Sequence, residues 1–140
     1  MIAKIKHILT NSKNKKNVEH SPCHDCDICC KYICMEIDKP KTEKDFDEIK
    51  WFLLHKDIWV YVDNDLSWNI QFNAKCEKLK NGLCQIYKKR PLICREHSHE
   101  NCEKYGYGNP HKFLFKNLKD FENWLKKRKK KSGKKPIKKK

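Results

Sequence analysis

The chain is predicted to fold as one small α+β domain, with helices set around one or two short β-hairpins. Three observations in its 140 residues carry that prediction. A helical apolar period follows Thr42, placing Phe46, Ile49, Phe52 and Leu53 on one face. Two runs of aromatic and β-branched residues, 58–62 and 68–72, are joined by the turn triplet Asp63-Asn64-Asp65. An Asn81-Gly82 pair between Leu79 and Leu83 marks a second, tighter hairpin, because both positions tolerate positive φ.

Residues 1–22 form a basic arm, and the polar stretch 11–22 has no apolar period, so it reads as flexible. Residues 32–38 (YICMEID) suit a short strand or a helical turn. Thr42 is a good N-cap, with Asp45 three residues on to complete a capping box, and it opens a helix expected over residues 43–55. Farther along, Leu114, Leu118, Phe121, Trp124 and Leu125 recur at helical spacing behind Pro110, predicting an amphipathic helix over residues 111–127. Residues 126–140 are lysine-rich, low in complexity and expected to be disordered. The organisation is therefore arm 1–22, domain 23–125 and tail 126–140.

The formal charge of +15 is unevenly spread. The tail 126–140 carries eleven Lys or Arg and no acid, while residues 23–125 balance 17 basic against 17 acidic side chains. Weak, sequence-indifferent binding of nucleic-acid phosphates is expected of the tail alone. No apolar run is long enough to span a bilayer, which excludes a membrane-spanning helix. Residues 1–10 are interrupted by Lys4, Lys6 and His7, too polar for a secretory leader. A reducing, cytoplasmic setting is expected, and in a eukaryotic host the KKRKKK run would read as a nuclear-localisation patch. There, nine cysteines serve as ligands or reactive thiols more readily than as disulfides.

Four of those cysteines, Cys23, Cys26, Cys29 and Cys30, are spaced C-x2-C-x2-C-C. Crowded thiolates repel one another unless a cation lies between them, and zinc, copper(I) and iron–sulfur clusters are the soft partners they prefer. A second group follows at Cys76, Cys84, Cys94 and Cys102. With a hydrophobic content of only 38%, such a metal would staple a domain of modest core. Vicinal Cys29 and Cys30 rarely share one tetrahedral ion, so two neighbouring metals or a polynuclear cluster suit them better. The C-x2-C-x2-C loop is similar to a ferredoxin loop, which tilts the first quartet toward a [4Fe–4S] cluster, with zinc as the alternative. Cys34 would extend that comparison, although Met35 stands where ferredoxins place proline.

Other residues near the cysteines invite two readings each. Arg90 and Arg95 are two of only three arginines beside 30 lysines, so planar donors either neutralise thiolates or fix a carboxylate, or else form a structural ion pair. His24, His97 and His99 stand beside cysteines as replacement ligands or as supporting neighbours. Trp51, Trp59, Trp68 and Trp124 read as core or surface aromatics. Asp57, Asp63 and Asp65 argue against a base-stacking groove among them.

The C-x2-C-x2-C-C cluster, the TEKDFDEI helix start and the run CEKLKNGLCQIYKKRPLICR together resemble the YkgJ-type cysteine-cluster family of zinc- or iron-chelating proteins. The resemblance covers about residues 23–102 and implies a metal held by Cys23, Cys26, Cys29, Cys30, Cys76, Cys84, Cys94 and Cys102. It leaves Cys34 outside the pattern, and Asp27 replaces the family's usual glycine in the loop. It also implies likeness to the cysteine-rich part of flagellin lysine N-methylases, where an iron–sulfur cluster is implicated in methyl transfer. Two alternatives to plain metal binding thus stand: an iron–sulfur-dependent methyltransferase-like or redox enzyme, and a zinc-stabilised nucleic-acid-associated protein. The residues themselves assign no catalytic group.

Overall fold

The computed structural model describes residues 26–97, 102 and 111–133. The expectations for the arm, Cys23, His24, His99 and the last seven residues fall outside that range. In chain order the elements are β1 (Ile33–Ile37), α1 (Glu43–Leu53), β2 (Ile58–Asp63), β3 (Trp68–Phe72), β4 (Leu79–Lys80), β5 (Leu83–Cys84), α2 (Leu92–Glu96), β6 (His111–Phe115) and α3 (Leu118–Ser132), with single 3-10 turns at Ile28–Cys30 and Tyr87–Lys89. The architecture is α+β: β1, β3, β2 and β6 form an antiparallel sheet in that order, and β4 pairs with β5 separately.

The segment 32–38 takes the strand option because β3 offers it a partner, Ile33 through Ile37 pairing with Phe72 through Trp68. Helix α1 starts where its cap predicts. The Thr42 side chain accepts from the Asp45 amide at 3.2 Å, and the Asp45 carboxylate accepts from the amides of Lys41 and Thr42 at 2.8 Å each. Those bonds, Lys41's first, hold the Asp45 carboxyl below its ordinary range.

The helix expected over residues 111–127 is divided. Its first five residues, HKFLF, form β6, because the open edge of β2 supplies the backbone partners that a helix would otherwise provide: Val60 faces Phe115 and Val62 faces Phe113. Leu114 therefore lies on a strand. Asn117 then caps α3 by accepting from the Asp120 amide at 3.0 Å. The helix runs to Ser132, past the boundary expected at 125/126. Its last turn is cationic (Lys129, Lys130 and Lys131), which complements the negative end of the helix dipole.

One sheet face carries Ile37, Val60, Val62, Trp68, Ile70 and Phe115, and against it lie Phe46, Ile49 and Leu53 of α1 and Phe121 of α3. Phe121 is fully buried, its ring centroid 5.1 Å from Phe115, 5.7 Å from Trp124 and 6.4 Å from Phe46. The other face of β3 is also buried but polar. Asn69 donates to the Asp63 carboxylate at 3.2 Å, Gln71 donates to Asn73 at 2.8 Å, and the Cys34 thiol donates to Gln71 Oε1 at 3.8 Å. Nothing in the alternation of residues 68–72 predicts that second buried face.

Candidate metal centre

The sheet register decides where the cysteines meet. Ile33 opens β1 and Phe72 closes β3, and these two residues pair. Cys30, just before β1, and Cys76, just after β3, thus leave the same end of the sheet. A backbone bond joins them directly: the Cys76 amide donates to the Cys30 carbonyl at 2.7 Å. Residues 46 positions apart in sequence become neighbours through one strand pairing.

From Cys76 the chain turns back at Asn81 (φ 50°) and Gly82 (φ 75°), the two positive values that a primed hairpin turn requires. Leu79 then pairs with Cys84. The Tyr87–Lys89 turn follows, and Pro91 caps α2, whose middle residue is Cys94. The Cys94 amide donates to the Pro91 carbonyl at 3.0 Å.

The Cys30 thiol is perturbed by its burial and by other cysteines. Burial pushes the Cys30 thiol above its ordinary value, and Cys76, Cys84 and Cys94 push it further, while the hydrogen-bonded Cys29 thiol works the other way. Cys76, Cys84 and Cys94 thus each make it harder for Cys30 to ionise. A soft cation bound by such thiols would outweigh that repulsion and favour their ionised form. Among the described residues no three His, Cys, Asp or Glu side chains are already closed into a metal cage. The backbone bond between Cys76 and Cys30 joins the two cysteine segments, and a donor set made wholly of sulfur fits zinc or iron.

The other candidate residues have these surroundings. Cys34 is engaged on the polar sheet face with Gln71 and with Tyr61, whose phenol is held well above its ordinary value by burial first and Cys34 second. Cys102 is buried, and Cys26 is half-buried beside the first 3-10 turn. Asp27 stands in for glycine without strain: its φ is −115°, its carbonyl accepts from the Cys30 amide at 3.1 Å, and its carboxylate pairs with Lys31 at 3.0 Å. Arg90 serves the loop itself, donating from Nε to the Tyr87 carbonyl at 2.8 Å and stacking 3.7 Å over that ring. Arg95 and His97 are exposed. Trp68 belongs to the core, whereas Trp51 is 58% exposed.

Fold and site together define a small sheet-and-helix domain that carries a soft-metal donor set at one end of its sheet. The chain belongs to the CxxCxxCC family, described as "Putative zinc- or iron-chelating domain", whose model matches residues 22–127. No curated protein and no solved structure matches it. It is accordingly a metal-binding cysteine-cluster protein. Among the described residues no helix is long and apolar enough to cross a membrane.

Proposed function

We propose that the protein chelates zinc or an iron centre with thiolates drawn from both quartets, Cys23, Cys26, Cys29 and Cys30 together with Cys76, Cys84, Cys94 and Cys102. The observation that supports this reading is the junction of the two cysteine segments: the Cys30 carbonyl holds the Cys76 amide at 2.7 Å, Leu79 pairs with Cys84, and Cys94 follows in α2. Those four sulfurs would form one thiolate set. Bound metal supplies the positive charge that keeps them ionised. The rest of the chemistry belongs to the chain. The Cys30 carbonyl holds the start of the second segment, the Asn81-Gly82 turn reverses the chain before Cys84, and Cys94 follows in α2. A reducing compartment such as the cytoplasm keeps such thiols available.

Anaerobic purification followed by elemental analysis and a visible spectrum tests the reading, because zinc thiolates are colourless and iron–sulfur clusters are not. Cys30→Ser is expected to lower metal content and Cys34→Ser to leave it unchanged. Equal loss in both would overturn the ligand assignment.

We infer in addition that the basic C-terminal stretch 126–140 contacts nucleic-acid phosphates weakly and without base preference. Such binding falls by about 0.9 log units per contacted phosphate for each log of salt. Truncation after Leu125 should abolish it and spare the metal. Binding that survives the truncation refutes the assignment to this stretch.

A further inference from the structure

Helix α3 is fastened to the domain along one side. Phe121 is fully buried, Trp124 and Leu125 pack against the core, and the Arg128 guanidinium lies 5.3 Å over the Phe46 ring and 5.4 Å over Trp124. A helix that turns residues 121, 124, 125 and 128 inward carries residues 119, 123, 127 and 130 on its opposite side. Those are Lys119, Asn123, Lys127 and Lys130, and all four are exposed. At 1.5 Å per residue the row is about 16 Å long. The acids of α3 stand off it. Asp120 is half-buried, and its carboxylate accepts from the Lys116 amide at 3.0 Å. Glu122 lines a groove with Lys50 of α1 and with Lys126 and Lys129, where Lys50 is already paired with Asp47 at 2.6 Å. That side is mixed in sign, and the outward row is not. The terminal stretches add charge of the same sign, with five Lys against Glu19 in residues 1–22 and five Lys without an acid in residues 134–140.

We propose that the outward row of α3, Lys119, Lys127 and Lys130, docks the folded domain on the phosphates of a nucleic-acid duplex. The inference rests on the nucleic-acid reading of residues 126–140 given above. It adds a helical surface fixed to the core and one lysine, Lys119, from outside that stretch. Charge complementarity selects a polyanion. The row holds no aromatic side chain on which an unpaired base could stack, because Phe121 and Trp124 pack inward, and that disfavours a single strand. It has no apolar flank to enter a lipid surface either, because the apolar side of α3 is covered by the sheet and α1. Phosphates held at regular intervals along a duplex suit cations held along a helix, whatever the base sequence.

The test is fluorescence anisotropy of the full chain with short mixed-sequence DNA and RNA duplexes across a salt series. Single strands of the same length and vesicles of phosphatidylserine and phosphatidylcholine are measured beside them. Lys119→Gln should lower the slope of log affinity against log salt by about 1, and Lys127→Gln combined with Lys130→Gln by about 2. Lys119→Arg, which keeps the charge, should restore the slope. Lys138→Gln combined with Lys139→Gln removes the same charge as the outward pair and should change the slope less than half as much. Binding to either duplex on this pattern supports the proposal, and the ratio of the two affinities names its source. If truncation after Leu125 abolishes binding but Lys119→Gln leaves the slope unchanged, the docking row is overturned and the reading of the stretch stands. Equal losses from the two double variants have the same consequence. Binding untouched by the truncation defeats the reading of the stretch instead. Tighter binding to single strands or to the vesicles than to either duplex overturns the duplex as the partner.

Discussion

Removing the metal should dissolve one part of the molecule and leave the other folded. From residue 76 to residue 97 the only buried side chain is Leu79, and the regular elements are two-residue strands and the five-residue α2. Elements that short do not persist unaided. Burial of one leucine contributes about 1.5–3 kcal/mol, whereas a structural zinc contributes about 10–16 kcal/mol. With the ligands proposed above, the metal would therefore decide whether this segment is ordered. The sheet, α1 and α3 have their own core, with Ile49, Val60, Ile70 and Phe121 fully buried. Chelation in solution should free the amides of residues 76–97 to rapid hydrogen exchange. It should also leave a cooperative thermal transition reported by Trp68 and Trp124, which pack together 5.8 Å apart. Hydrogen exchange by mass spectrometry and near-ultraviolet circular dichroism, on verified metal-free protein, read the two parts separately. If chelation abolishes the tryptophan signal and protection in α1 and α3 as well, the two parts are one cooperative unit and the reasoning fails.

Other perturbations have defined outcomes. Phe121→Ala empties the centre of the aromatic cluster and should cost about 3–5 kcal/mol in denaturant unfolding without changing metal stoichiometry; a loss under about 1 kcal/mol would show that α3 is not seated on the sheet. Thr42→Ala removes the acceptor for the Asp45 amide and should cost about 1 kcal/mol, read as a lower melting temperature with metal unchanged. The Tyr61 phenol, raised by burial and then by Cys34, keeps its proton where an unfolded tyrosine, with an ordinary value of about 10, releases it. The unfolded chain thus binds fewer protons there, so this stability is complete below about pH 10 and declines as pH climbs toward the folded value. Tyr61→Phe should flatten the alkaline decline in melting temperature, and an unchanged decline would remove Tyr61 as its source.

Elements whose cause is local were legible in the sequence. Thr42 and Asp45 form their capping box within four residues, Asp63-Asn64-Asp65 separates two alternating runs, and Asn81-Gly82 takes up the positive φ values that its composition favours. The soft-metal character of the chain was legible for the same reason, since thiol crowding at Cys23, Cys26, Cys29 and Cys30 is a property of spacing alone. Residues 111–115 were misread because Leu114 fits the helical period of Leu118, Phe121 and Trp124, and only the vacant edge of β2 converts that stretch into a strand.

Which cysteines meet could not be read locally. The pairing of Ile33 with Phe72 puts Cys30 beside Cys76, and that register depends on which faces of β1 and β3 find apolar cover from α1 and α3. The same register turns Cys34 onto the polar face toward Gln71 and away from the cluster, although it is only four residues from Cys30. Side chains alternate across a sheet, so one strand can send neighbouring cysteines to different fates. The sequence by itself determined the ligand chemistry, because sulfur and spacing are covalent facts. The tertiary structure decided that the segments of Cys30 and Cys76 adjoin, because long-range strand pairing is set by how the whole sheet buries its apolar face.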